Sequence, residues 1–171
     1  AIGDKEKAKK VTIQSLEKIP DEPDLIKLRA SFFLEYGEYE QAVALLQQND
    51  RDPGSTVILA EIKSQNDPIE ALRILEVFDT FEDLQHHYRI TSGYLRITCW
   101  LKRSDLSLMD RVAHAQTEVD TLLQQYPQSL TILVSHSMIL EASGNESELR
   151  DLLGNAKALL TPTSSFYERF M

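Results

Sequence analysis

Apolar residues recur along this chain at intervals of three and four. Tyr39, Ala42, Val43 and Leu46 make one such set, and Leu149, Leu152, Leu153, Ala156, Leu159 and Leu160 make another. That period places the apolar side chains on one face of a helix. No stretch of strict apolar and polar alternation lasts long enough to predict a strand. Between the periodic segments stand clusters of helix-ending residues: Pro20 to Pro23, "NDRDPGS" at 49–55, "NDP" at 66–68, "KRSD" at 102–105, "YPQS" at 126–129 and "SGNES" at 143–147. The pattern predicts helices over 4–19, 23–36, 38–49, 55–65, 68–79, 81–102, 105–126, 128–143 and 145–160. Gly37 and Gly144 stand where a left-handed residue ends a helix, Pro68 suits a first helical turn, and Asp67 before it suits an N-cap. Connections this short turn each helix back on the one before, so the expectation is all-α, with the helices in antiparallel pairs.

The pattern also repeats at a longer interval. "GDKEKA" at 3–8 reappears as "GEYEQA" at 37–42, which aligns Gly3 with Gly37, Glu6 with Glu40 and Ala8 with Ala42 at a period of 34 residues. A 34-residue helix-turn-helix unit has the length of the tetratricopeptide repeat, and "GEYEQA" is similar to the opening of that repeat's second helix. In the fullest unit the resemblance places small Ala30 and Ala42 at helix crossings, with Phe33 one turn after Ala30, Leu46 as a packing residue and Pro53 at the exit. Helix axes 8–10 Å apart leave room only for small side chains at such crossings.

The resemblance implies a right-handed α-solenoid of about four hairpins within one domain spanning 1–171. Its parts are a partial repeat at 1–22, a clear repeat at 23–54, a short degenerate repeat at 55–79, a long degenerate repeat at 80–127, and a last hairpin with a C-terminal cap at 128–171. Ala71 in "NDPIEA" follows Ala42 by 29 residues rather than 34, for which a shortened first helix would account. "GNESEL" at 144–149 keeps the glycine but has Leu149 in place of alanine, and Gly93, Tyr94, Ala115 and Pro127 fit the pattern only with about ten residues added around 100–110. The first segment matches a second helix with no first helix before it. That is expected either of a piece excised from a longer chain, the favoured reading, or of a lone capping helix. "SSFYERFM" at 164–171 suits a short helix packed on the last hairpin, or a further cut in a longer array.

Charge and composition narrow the function. The chain has 171 residues, 27 acidic against 18 basic, for a net charge of −9. A field of that sign opposes nucleic acid and acidic membrane surfaces. Lys5, Lys7, Lys9, Lys10 and Lys18 give the first twenty residues the opposite sign, which reads as a solvated helix face. The single cysteine, Cys99, permits no disulfide within the chain, and no segment reads as a signal peptide or a membrane span; a cytoplasmic protein is expected.

Catalytic chemistry finds little support. His86 and His87 are adjacent, so they point about 100° apart on a helix and cannot chelate together. His136 lies between Ser135 and Ser137, and helix neighbours do not face one another. Cys99 beside Trp100 in "YLRITCWL" suits burial better than thiol catalysis. Neither a phosphate-binding glycine loop nor a nucleophile elbow occurs, so no enzyme, metal or cofactor is expected.

Stacked hairpins expose a concave face lined by the first helix of each pair. If this geometry holds, the groove is formed by Lys27, Ser31 and Glu35, then Thr56, Ala60 and Lys63, then His87 and Tyr94, and last Thr131, Val134, Met138 and Glu141. The clamp of asparagines and basic residues with which some members of the family hold a chaperone's C-terminal carboxylate is replaced by Ser31, Ala60, Thr131 and Val134. The expected function is a non-catalytic scaffold or adaptor that binds a peptide or helix of a protein partner, as part of a larger chain or complex. The alternatives are a small secretion chaperone holding partly unfolded clients, and a purely architectural spacer.

Overall fold

Eight α-helices account for nearly all of the regular structure in a computed structural model that describes residues 22–81 and 84–159, with isolated positions between 7 and 19. The helix expected at 4–19 lies mostly outside the described residues, and the cap expected near the C-terminus lies wholly outside them. Among the described residues the fold is all-helical, without a strand. The chain divides into two compact units, residues 1–84 and 85–171.

Unit 1 contains α1 (Pro23–Glu35), α2 (Tyr39–Gln47), α3 (Pro53–Ser64) and α4 (Pro68–Leu75), followed by a 3-10 turn over Glu76–Thr80. Its helices start where local chemistry dictates. Pro23, Pro53 and Pro68 occupy first turns, where a missing amide costs nothing. The Asp52 carboxylate accepts from Ser55 N at 2.7 Å, and that of Asp67 accepts from Glu70 N at 3.0 Å, so each satisfies an amide the helix leaves without a partner. Gly37 follows α1 with φ of 74°, a left-handed conformation that costs other residues about 1–2 kcal/mol.

Consecutive helices of unit 1 pack on one another, and α1 also touches α3. Their core joins Ala30, Phe33, Ala42, Leu46 and Leu59, with Ile62 and Ile74 packed against it. Ala30 and Ala42 are wholly buried, as suits close crossings. The 29-residue step from Ala42 to Ala71 does not come from a shortened first helix. α3 has 12 residues against 13 in α1, whereas α2 stops after nine, because the polar run from Asn49 to Asp52 precedes Pro53 and ends it early.

Unit 2 contains α5 (His86–Lys102), α6 (Leu108–Gln125), α7 (Leu130–Ser143) and α8 (Glu146–Leu159). Here too consecutive helices pack, and α5 touches α7. At 17 and 18 residues, α5 and α6 form the long pair the sequence suggests. A hydroxyl caps α6: Asp110 N donates to Ser107 Oγ at 3.2 Å, while that hydroxyl donates to the Asp110 carboxylate at 2.6 Å. The core joins Ile97, Ala115, Val119, Leu122, Ile132 and Ile139. α5 approaches α6 closely at Gly93, since a Cβ there would lie 2.3 Å from Leu122 Cδ1. α5 starts at His86 rather than near 81. Phe78 is buried and its ring meets Phe81 edge-on at 5.8 Å, so this apolar pair belongs to the end of unit 1.

Candidate functional site

In α1 the spacing of the expected residues matches their exposure. Ser31 and Glu35 lie on the solvent side with Asp24 and Leu28, and Leu28 is 45% exposed. Lys27 stands at the edge of this face, its ammonium 2.9 Å from Asp24 and 3.4 Å from Asp52. It therefore links α1 to the cap of α3. The Ser31 hydroxyl donates to Lys27 O at 2.9 Å.

α3 presents a different face from the one expected. Thr56 is only 3% exposed and its hydroxyl is shared between Asp50 O and Asp52 O, both at 3.0 Å; Ala60 is fully buried. Glu61 and Gln65, one turn apart, are the exposed pair instead. Lys63 shares the face of Thr56 and Leu59, and lines a cleft of about 260 Å³ with Tyr39, Val43 and Ile62. A threonine near a helix N-terminus often turns its hydroxyl back to the backbone, and that signal was available in "DPGST".

In unit 2, His87 is exposed at the start of α5, its ring 3.9 Å from that of Tyr88, and Tyr94 is half-buried two turns later. On α7, Thr131, Val134 and Met138 are half-buried on one face, and Glu141 is exposed at its end. Glu141 lines a cleft of about 410 Å³ with Leu140, Gly144, Leu149 and Arg150. The expected residues thus fall into two sets, one in each unit: Lys27, Ser31, Glu35, Thr56 and Lys63 in the first, and His87, Tyr94, Thr131, Met138 and Glu141 in the second.

Cys99 is fully buried on α5, and burial pushes its thiol from an ordinary 9.0 up to about 11, against a weaker opposing pull from Lys102. A thiol so protonated is a poor nucleophile. Trp100 stacks on His114 with ring centroids 4.2 Å apart, and the Arg103 guanidinium lies 5.5 Å from the indole. Arg103 is held in turn by both carboxylate oxygens of Asp105, which keeps that carboxyl below its usual range. His86 Nδ1 lies 3.0 Å from the Tyr126 hydroxyl, joining the start of α5 to the end of α6. Among the described residues, no three His, Cys, Asp or Glu side chains are arranged to hold a metal, and no helix is long and apolar enough to cross a membrane.

A second concavity in unit 1 lies between α2 and α4 over α3. It encloses about 320 Å³ above Leu59 and Ile74, with Val77 at one side and Gln47, Asp50 and the Glu70–Arg73 pair around the rim. Arg73 grips Glu70 through Nε at 2.7 Å and Nη2 at 2.6 Å, and this hydrogen-bonded pairing holds the Glu70 carboxyl below its usual range. Comparison with protein-family profiles, with characterised proteins and with solved structures finds no match to this chain.

Proposed function

We propose that the protein is a non-catalytic interaction module, a solenoid of helical hairpins related to the tetratricopeptide repeats, whose first helices hold a peptide or helix of a protein partner. The observation that supports this reading most is the contact between next-but-one helices, α1 with α3 in unit 1 and α5 with α7 in unit 2. Stacked hairpins bring their first helices together in this way, and bundles of isolated pairs do not. In unit 1 the binding face is then Leu28, Ser31 and Glu35 of α1 with Glu61 and Gln65 of α3, and Leu28 is its apolar anchor. In unit 2 it is His87 and Tyr94 of α5 with Thr131, Met138 and Glu141 of α7. An open face mixing polar groups with a few apolar anchors suits a helix or peptide laid along it.

The test is capture from native extract followed by cross-linking and mass spectrometry on the recovered complex. Cross-links should reach the α1 and α3 face, and the paired change Leu28→Glu with Glu61→Lys should abolish recovery while leaving the helical circular-dichroism signal intact. Recovery of the same partner at the same yield by that variant, with cross-links elsewhere, would reject the proposed face. Equal capture of many unfolded proteins would point to a holding chaperone instead.

A further inference from the structure

The cleft between α2 and α4 lies on the face of α3 that carries Thr56, Leu59 and Lys63, a different face from Glu61 and Gln65, so it is separate from the surface proposed above. Its floor is apolar: Leu59 is buried, Ile74 is half-buried, and Val77 remains 38% exposed. Its rim carries three charges, and two of them cancel. Arg73 closes on both oxygens of Glu70. Asp50 stands alone. Its main-chain carbonyl accepts from Thr56, but among the described residues its exposed carboxylate makes no hydrogen bond or ion pair.

An apolar floor beside a single unopposed carboxylate is complementary to one kind of side chain, a hydrocarbon stem with a cation at its tip. Lysine and arginine bury their stems on apolar surface while their heads stay solvated or paired. Each can stretch across a cavity of this size. The surroundings favour the same sign of partner, because Glu76 and Asp79 are exposed on the turn that carries Val77, and the chain as a whole bears −9. A negative surface of this kind also speeds encounter with basic partners. We infer that this cleft is a docking site for a lysine or arginine side chain of a basic protein segment, its stem against Leu59, Ile74 and Val77 and its cation at Asp50.

Amide chemical shifts of the isotope-labelled protein report the test, with three small probes. N-acetyl-lysine amide carries stem and charge, N-acetyl-norleucine amide carries the stem alone, and methylammonium carries the charge alone. The lysine probe should saturably shift the amides of Gln47, Asp50, Leu59, Ile74 and Val77; the norleucine probe should bind about fivefold more weakly, the ratio one solvent-accessible charge pair supplies, and methylammonium, which has no stem to bury, more weakly still. Asp50→Asn should weaken the lysine probe by about the same factor without changing the melting temperature, since the carboxylate supports nothing in the fold. Val77→Lys should place a lysine of the protein's own in the cleft and remove the response. Shifts spread evenly over Glu61, Glu141 and the other exposed acids would overturn the proposal, as would equal binding of the norleucine probe or an unaltered response in Asp50→Asn.

Discussion

Gly144 ends α7 with φ of 72°, and a Cβ built on it would meet nothing within 4 Å. The constraint there is purely one of backbone conformation. Gly144→Ala should therefore cost about 1–2 kcal/mol, read from the midpoint of a urea melt, and Gly37→Ala should cost the same for the same reason. Cys99 gives a second expectation at this scale. Its pKa is raised from 9.0 to about 11, so folding favours the protonated thiol. That contribution is fully present below pH 9 and is lost as pH rises toward 11, an effect of about 3 kcal/mol. Cys99→Ala should flatten this part of the stability profile. Iodoacetamide at pH 8 should label Cys99 only after denaturant is added, and rapid labelling of the native protein would contradict the burial. Much at this scale was legible in the sequence: Gly37, Gly144 and Asp67 behave as their chemistry suggests. Thr56 and Ala60 were not placed correctly by repeat register alone. The Thr56 hydroxyl turns back to the carbonyls of Asp50 and Asp52, and an alignment of hairpins carries no information about how α3 is rotated.

The helices themselves were readable because apolar period and punctuation agree along most of the chain. Helices expected over 23–36, 38–49, 68–79 and 128–143 correspond to α1, α2, α4 and α7. Lengths were harder. The early stop of α2 and the late start of α5 depend on where a polar run or a buried aromatic pair takes over, and periodicity fades gradually at both places. The crossing of α5 and α6 is fixed more sharply. Gly93→Ala would drive a methyl group into the side chain of Leu122, which is itself largely buried, and should cost about 1–3 kcal/mol. Leu122→Ala alone should cost about 2–5 kcal/mol, and the double variant less than the sum, because the second truncation makes the space the first substitution needs. Strict additivity in denaturant melts would place the close contact elsewhere. The cap on α4 is worth less: Asp67→Ala should lose about 1 kcal/mol through the amide of Glu70.

Among the described residues, each helix packs within its unit on its sequence neighbours, and the first helix of each unit also meets the third. Contacts that close such short loops form quickly, so the main phase of refolding from urea should fall in roughly the millisecond range typical of helical proteins. Stopped-flow circular dichroism checks this, and a main phase lasting seconds would contradict it. The division between residues 84 and 85 was not singled out in the sequence, where the break near 80 reads like the others between helices. The same division governs what light can report. Trp100, the protein's only indole, meets an imidazole and a guanidinium inside unit 2, so emission excited selectively at tryptophan observes that half of the protein and is blind to the rest. Anyone following the fate of α1 through α4 must read Tyr36 and Tyr39 or bring a second fluorophore.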